Sequence, residues 1–425
     1  MLKELGLDVA LHDEMLAATD RLFQKTVAAQ TNRPKAMAYF DRVLHEAHGG
    51  RVAELVEAKK SGRKTVGTFC IYVPEELALA ANTIPVALCG GIQASVPYAE
   101  KMLPRDICPL IKSTLGLAFS KTCPYGPVKS LAVGETTCDA KKKTWELLAG
   151  RVHFHVMELP QKKGQLDAAL WRAEVDQFRQ KLEELSGTKV EPQRLAAAIR
   201  VLNAKRRALQ ELAELRKADP PPISGLDALV VMQAALNDEP VRFTRAVEEL
   251  NAELAQRVAR GITPVRSGAK RVMVAGCPAV MGNWKVHALV EQAGAVIVWD
   301  ESCTGARYFE HLVDETARDR AGQVNAIADR YLKINCACFT PNQERIDAAV
   351  QRAQEYNVTG AIHYVLQTCH GYNIEALRVE AALKQTGIPS LKIVTDYSEE
   401  DTEQLRTRIE AFIEQLGVAG PPPAR

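Results

Sequence analysis

The forty residues 104–143 read PRDICPLIKSTLGLAFSKTCPYGPVKSLAVGETTCDAKKK and place three cysteines, Cys108, Cys123 and Cys138, at intervals of fifteen residues. Each cysteine lies beside Pro or Asp, and none lies within an apolar run. These thiols are therefore poorly explained as hydrophobic core. Ligation of a metal by thiolates is the interpretation that we favour.

The same stretch predicts two helices, DICPLIKSTLGLAF and CDAKKKTWELLAG, on either side of the strand SLAVGE. Upstream, TVGTFC and IPVALCGG predict strands separated by the helix PEELALAAN, and downstream VHFHVMELP predicts a last strand. Such alternation of strands and helices is typical of a parallel sheet covered by helices. We therefore predict a first α/β cluster-binding domain over residues 61–160.

A second series of strands begins at Lys270 with KRVMVAG and continues with AVIVWDE, GAIHYVLQ and SLKIVTD. In both halves a strand runs into a cysteine and a helix follows, which indicates an internal duplication. We predict a second α/β cluster-binding domain over residues 269–418, a helical connecting segment over 161–268 and an N-terminal helical extension over 1–60. The fold class is thus α/β, with two Rossmann-like parallel-sheet domains. The terminal GPPPAR is expected to be disordered.

Composition excludes several classes of function. The formal net charge of +2 over 425 residues gives no support to nucleic-acid binding. No apolar run approaches the roughly 20 residues needed to cross a bilayer, and the first residues do not resemble a signal peptide, so a cytoplasmic protein without a membrane partner is expected. In a reducing compartment ten cysteines predict metal binding, redox chemistry or buried thiols rather than disulfides.

The placement of the cysteines favours one shared site. Ligands of parallel α/β sheets bind beyond the carboxyl ends of the strands, where most of these cysteines lie. A thiol at a helix N-terminus is expected to have a lowered pKa, and the glycines beside the cysteines suit close approach of backbone N–H groups to a cluster. Because CxxC pairs are absent from the sequence, scattered thiolates favour an iron–sulfur cluster over zinc. Buried structural thiols remain the alternative.

Several motifs carry a resemblance to a known superfamily: LPRDICPLIKSTLG, KTCPYGPVKSLAVGETTCDAKKKTWELL, DESCTGARYFE, RYLKINCACFTPNQERI and LQTCHGYNIEAL. The chain resembles the 2-hydroxyacyl-CoA dehydratase and benzoyl-CoA reductase superfamily along nearly its whole length. Within it, the chain looks most like the double-cubane cluster proteins, because Cys123 lies between the two first-domain cysteines that ordinary dehydratase subunits use.

The resemblance implies two sets of cluster ligands. One [4Fe-4S] cluster is implied at Cys108, Cys138 and Cys369. A second cubane, which would complete an [8Fe-9S] double cubane, is implied at Cys123, Cys303 and Cys338.

Four further cysteines are assigned less directly by the resemblance. Cys336 is an alternative to Cys338, since both lie in one loop, and Cys89 is an alternative to Cys303. Cys70 and Cys277, which follow the first strand of each domain, are expected to be buried bystanders.

The resemblance also implies a function. The expected activity is that of an anaerobic iron–sulfur reductase that accepts low-potential electrons from an ATP-hydrolysing iron–sulfur activator of the actin-like fold and reduces a small molecule. The chain itself has no GxxxxGK[ST] phosphate loop. The alternatives are a 2-hydroxyacyl-CoA dehydratase subunit with one [4Fe-4S] cluster and ketyl-radical chemistry, and a noncatalytic electron carrier. A homodimer is implied, whereas the substrate, acyl-CoA or another small molecule, stays open.

Overall fold

Two parallel four-stranded sheets form the framework of residues 1–416, the part of the chain that the computed structural model describes. The first contains β1 (Thr65–Thr68), β2 (Ile84–Ala87), β3 (Leu131–Glu135) and β4 (Phe154–Met157), in the order β2-β1-β3-β4. The second contains β5 (Lys270–Gly276), β6 (Ala295–Asp300), β7 (Gly360–Leu366) and β8 (Ser390–Thr395), in the order β6-β5-β7-β8. The matching orders confirm the predicted α/β class and the duplication of its topology.

Eighteen α-helices accompany these strands within residues 1–416. The first half contains α1 (Val9–Thr26), α2 (Met37–His45), α3 (Gly50–Lys60), α4 (Glu75–Ala80), α5 (Val96–Ala99), α6 (Pro109–Phe119), α7 (Tyr125–Val128) and α8 (Asp139–Ala149). The middle contains α9 (Gln165–Ser186), α10 (Pro192–Leu215), α11 (Gly225–Ala235) and α12 (Pro240–Ala259). The second half contains α13 (Lys285–Gln292), α14 (Ala306–Phe309), α15 (Arg320–Leu332), α16 (Gln343–Glu355), α17 (His370–Gln385) and α18 (Thr402–Gln415). Residues 417 and 418 of the predicted second domain, and GPPPAR, lie outside the described residues.

The strands are continuous apolar runs in the sequence because both of their faces are buried. Every residue of β7 is buried, since helices cover both faces of the second sheet. The edge strand β4 is only partly buried, and its Val156 is exposed. No helix within residues 1–416 has the length and apolarity that a membrane span requires.

The middle helices pack against both halves of the molecule. Helix α9 contacts β4, α4 and α15, and Trp171 of α9 is buried and donates a hydrogen bond to the carbonyl oxygen of Ala328, 3.1 Å away. Helix α11 instead contacts α2, α13 and β6. The predicted connecting segment therefore supplies helices to the cores of both domains.

The N-terminal helices also bridge the two halves. Phe23 of α1 and Phe40 of α2 belong to the hydrophobic core around the second sheet. Val52 and Leu55 of α3 belong to a core beside the first sheet. The extension thus fixes one domain relative to the other.

The two domains approach each other closely at Gly91, in the loop after β2. A Cβ atom at this position would lie 2.8 Å from the carbonyl oxygen of Met281 and 2.7 Å from the side chain of Val280. Only glycine fits without displacing backbone of the second domain. Gly91, expected from the sequence to approach a cluster, therefore serves the contact between the domains.

Candidate metal centre

A cavity of about 420 Å³ lies where the carboxyl ends of the strands of both domains meet. Nine of the ten cysteines line it: Cys70, Cys89, Cys108, Cys138, Cys277, Cys303, Cys336, Cys338 and Cys369. Each sheet contributes several of these thiols, because a cysteine follows the end of most strands. The structure thus brings the cysteines to the edge at which α/β sheets bind ligands.

Four of these cysteines form what we call the first thiol group: Cys108, Cys138, Cys277 and Cys369. Cys108, Cys138 and Cys369 are the N-cap residues of α6, α8 and α17, as the sequence predicts. Cys277 lies next to Cys369, within hydrogen-bonding reach of its thiol, and its Sγ accepts a hydrogen bond from the backbone N–H of Leu366 at 3.3 Å.

The other five cavity cysteines form the second thiol group: Cys70, Cys89, Cys303, Cys336 and Cys338. The thiols of Cys70 and Cys303 are neighbours, and so are those of Cys336 and Cys338; in each pair one thiol acts on the ionisation of the other. The Cys89 thiol donates to the carbonyl oxygen of Phe69 at 3.1 Å.

Burial opposes the ionisation of thiols in the first group. It raises the pKa of Cys108 to about 12, and the nearby Cys369 thiol adds to this effect. Desolvation by the surrounding protein also raises the pKa of Cys138, although part of its side chain is open to solvent. The expected lowering by the helix N-terminus is therefore wrong for these two thiols, because desolvation outweighs the backbone N–H groups that face them. A bound metal cluster reverses this balance, since its irons stabilise thiolates directly.

Neighbouring side chains lower the pKa of three thiols, those of Cys303, Cys336 and Cys369. Hydrogen bonds from Cys70 and from Cys277 lower the pKa of Cys303 and of Cys369, respectively, against the effect of burial. A hydrogen bond from Cys338, followed by the charge of Arg307, lowers the pKa of Cys336 to about 5. Thiolates therefore form most readily where thiols adjoin one another.

The set of donors is the observation that bears on which metal the cavity could hold, since nine thiols line it. Within residues 1–416, no three His, Cys, Asp or Glu side chains converge closely enough to hold one metal ion. A tetrahedral zinc site requires four donors at about 2.0–2.3 Å from one point. The thiols instead surround a cavity. An iron–sulfur cluster is held in this way, because each iron at a corner of the cluster binds its own thiolate.

One buried ion pair lies between the two thiol groups. Lys141 of α8 lines the cavity, and its Nζ donates to Glu135 Oε1 at 2.5 Å and to the carbonyl oxygen of Phe69 at 3.3 Å. Burial opposes the charge on Lys141, but the negative charge of Glu135, which also accepts its hydrogen bond, raises the pKa of Lys141 well above the ordinary value. Lys141 is thus a fixed cation at the wall of the cavity.

A second polar feature of the wall joins the two domains. The Tyr308 hydroxyl donates to Glu75 Oε2 at 2.7 Å, and both residues line the cavity. Sequence reasoning assigned Glu75 only to a helix start and missed Tyr308. A usable signal was present, because Glu75 follows Cys70 by five residues and Tyr308 follows Cys303 by five.

Cys123 is the one candidate ligand that the structure does not bring to the cavity. Helix α6 separates it from Cys108: eleven residues at 1.5 Å per residue give about 16 Å. Its side chain packs with Met15, Ile92 and Leu117 instead. The even spacing of fifteen residues in the sequence therefore does not translate into proximity.

Cys70 and Cys277 lie nearer the candidate site than a bystander role implies, although Cys277 is buried as expected. Both were expected to be buried bystanders, yet both line the cavity and contact a proposed ligand, Cys303 and Cys369 respectively. A first strand that ends at the common edge of the sheets necessarily delivers the residue that follows it to the same place.

Comparison with known proteins identifies similar sequences along most of the chain. The family model described as "2-hydroxyglutaryl-CoA dehydratase, D-component" matches residues 70–416. A protein of Escherichia coli (strain K12) with the provisional name dehydratase subunit YjiM is 38% identical over 387 residues, which are 89% of this chain and 98% of that protein.

More distant similarity extends to two named enzymes. The (R)-phenyllactyl-CoA dehydratase beta subunit of Clostridium sporogenes is 25% identical over 84% of this chain and 93% of its own length. A benzoyl-CoA reductase subunit of Thauera aromatica is 26% identical over 60% of this chain and 66% of its own length.

Proposed function

The chain belongs to the 2-hydroxyglutaryl-CoA dehydratase D-component family, and from this premise we propose that it is an iron–sulfur reductase whose cavity holds an [8Fe-9S] double cubane. The number of thiols is the observation that carries the proposal. Nine thiols line one cavity, more than twice the four that a single cluster uses. Two bridged clusters would explain why the first and the second thiol group lie side by side in one cavity.

The ligand sets follow the two thiol groups. For the first cubane we retain Cys108, Cys138 and Cys369, each at a helix N-terminus whose backbone N–H groups face the thiol. Cys277 supports Cys369 as its hydrogen-bonding neighbour. Backbone N–H groups beside cluster ligands are common and tune the potential of a cluster.

For the second cubane we propose Cys303, Cys336 and Cys338, so that Cys336 takes the place expected for Cys123. Cys303 and Cys336 both lie beside the guanidinium of Arg307, and Cys338 contacts Cys336. Cys89 is the weakest candidate of its group, because its thiol is used in a hydrogen bond to a backbone carbonyl.

When bound, the cluster supplies low-potential electrons and an iron at which a small molecule can be reduced. The protein contributes an apolar wall that includes Leu110, Leu236 and Val280, and this wall excludes bulk water. Glu75 and Tyr308 offer a carboxylate and a hydroxyl that hold a polar substrate or pass a proton to it.

Electrons are proposed to arrive from a separate ATP-hydrolysing iron–sulfur activator of the actin-like fold. Two considerations support a partner: the relatives are named as subunits, and the sequence lacks a GxxxxGK[ST] loop. Cys138 is exposed, so one edge of the site is reached from the surface. A cytoplasmic homodimer completes the proposal.

A 2-hydroxyacyl-CoA dehydratase subunit with one [4Fe-4S] cluster is the second candidate. The names of the relatives favour it, since two of the three proteins described above are called dehydratase subunits. A noncatalytic electron carrier is the third candidate, and it requires no substrate pocket beside the cluster.

Turnover separates these functions. Protein purified without oxygen is mixed with activator, ATP and hydrazine, and ammonia is measured. Each hydrazine takes up two electrons and two protons, its N–N bond breaks and two ammonia molecules form. The reductase proposal predicts ammonia that depends on both ATP and activator. A parallel assay replaces hydrazine by a 2-hydroxyacyl-CoA. Elimination of water there, with no ammonia from hydrazine, identifies the dehydratase. The absence of both reactions identifies the carrier.

A further inference from the structure

We propose that Arg307 and Tyr372 raise the reduction potential of the cubane at the second thiol group above that of the cubane at the first. An electron that arrives at the exposed Cys138 side is then retained beside Cys303 and Cys336. The inference rests on the proposed double cubane and adds a direction of electron flow to it.

Arg307 is buried directly behind the second thiol group. Its side chain is 3% exposed, Nη1 donates to the carbonyl oxygen of Gly276 at 3.2 Å, and Nη2 pairs with Glu301. Its Nε is also buried and has no hydrogen-bond partner within residues 1–416. Arg307 does not itself line the cavity; it acts on the second thiol group through a hydrogen bond to the Cys303 thiol and through its charge beside Cys336.

Tyr372 extends the same donor system to Cys336. The hydroxyl oxygen accepts a hydrogen bond from Arg307 Nη1, and it lies 3.3 Å from Cys336 Sγ. Arginine has no acceptor, so the hydroxyl proton of Tyr372 is free to point at the sulfur. The guanidinium and the hydroxyl therefore form a chain of donors that ends on a proposed ligand.

The first thiol group has no matching guanidinium. Among residues 1–416, the charged side chains that act on Cys138 are Lys141 and Glu135, and this pair also acts on Cys70 and Cys89 of the second group. The ion pair is therefore common to both groups, whereas Arg307 distinguishes the second.

The carboxylates behind Arg307 do not cancel the difference. Glu301 is shared between Arg307 and Arg345, whereas Glu375 binds Arg345 through a different nitrogen and has no hydrogen bond to Arg307 within residues 1–416. In this network of two arginines and two glutamates, the group next to the thiols of Cys303 and Cys336 is the Arg307 guanidinium.

Hydrogen-bond donors and positive charge stabilise the reduced, more negative state of a cluster more than the oxidised state. The second cubane should therefore take up an electron at a higher potential than the first. Cys138 belongs to the first group and is exposed, so the lower-potential cubane faces the surface. The electron moves inward, from the surface to the Arg307 side.

The test compares two tyrosines on the same cavity wall. Anaerobic protein is assayed for iron and then titrated with titanium(III) citrate, and the two cluster signals are followed by electron paramagnetic resonance. In Tyr372→Phe one signal should shift to a more negative midpoint potential by about 59 mV, a tenfold change in the ratio of oxidised to reduced cluster. Tyr308→Phe is the matched control, because its buried hydroxyl binds Glu75 and no thiol.

Arg307→Lys and Arg307→Met extend the comparison. The Met variant, which removes the charge, should shift the same signal further than the Lys variant, which keeps it. If Arg307→Met does not fold, the comparison of Tyr372→Phe with Tyr308→Phe is sufficient to test the inference.

An unshifted signal in Tyr372→Phe at full iron content overturns the inference and leaves the double cubane intact. Equal shifts of both signals, or an equal shift in Tyr308→Phe, also overturn it. About four irons in the unmodified protein would instead remove the double cubane on which the inference rests.

Discussion

Replacement of Glu135 by Gln tests the ion pair between the thiol groups. Glu135 is fully buried and the Lys141 side chain is 13% exposed, with Nζ and Oε1 2.5 Å apart. Removal of one partner from a buried ion pair typically costs about 3–5 kcal/mol, because the other charge stays buried. Glutamine keeps the shape and one acceptor oxygen. We therefore expect the cluster-free protein to lose about 3 kcal/mol of unfolding free energy, the lower end of that range.

The cluster-loaded protein should lose less stability than the cluster-free protein. The thiolate of Cys138, a proposed cluster ligand, lies near Lys141 and supplies negative charge in place of the lost carboxylate. Urea unfolding without oxygen, followed by the fluorescence of the four tryptophans, measures both losses. One of them, Trp145, packs beside Lys141 and donates to the Glu135 backbone carbonyl at 2.9 Å.

The matched control is the double variant Glu135→Gln with Lys141→Met. Its destabilisation should be smaller than the sum of the two single losses, because no buried charge is left without a partner. A loss below about 1 kcal/mol in Glu135→Gln would refute the buried ion pair. Equal losses with and without the cluster would refute the placement of Lys141 beside cluster ligands.

Three further predictions concern other parts of the chain. Cys123→Ala should keep the full iron content, whereas Cys303→Ala should lose about half, as counted by colorimetric iron assay; the reverse result would restore Cys123 as a ligand. Burial lowers the pKa of His48 to about 3, so the neutral ring is favoured in the folded state and stability is lost as pH falls below 6.5, by about 2 kcal/mol at pH 5. His48→Gln should remove that part of the pH dependence in urea titrations, and an unchanged slope between pH 7 and pH 5 would contradict it. In Gly116→Ala the new Cβ would lie 1.9 Å from the carbonyl oxygen of Ser95, so thermal unfolding should show a lower midpoint than for Gly126→Ala, where the nearest atom is a lysine Nζ at 3.9 Å.

The strands and the cluster edge were predictable because they depend on local patterns. The run GAIHYVL is apolar enough to be buried on both faces, and β7 is completely buried. Cys138 and Cys369 each precede a helical pattern, and both cap the helices that the sequence predicts. Strand ends in two similar sheets then place the thiols together without further information.

The corrected features depend on distances that sequence does not contain. Cys108 and Cys123 are fifteen residues apart, but a helix and a turn consume that interval and lead away from the cavity. Gly91 next to Cys89 serves a backbone contact with the other domain. The sequence also does not show which hydrophobic core a helix joins. Helices α9 and α11 pack on different domains because of the path that the chain takes between them.

The iron content of the unmodified protein tests the central claim most directly. Protein purified without oxygen is analysed for iron, acid-labile sulfide and protein concentration by amino-acid analysis. A double cubane predicts about eight irons per chain. About four irons would reduce the site to a single cluster, and a value near zero would contradict the assignment of the cavity to iron and sulfur.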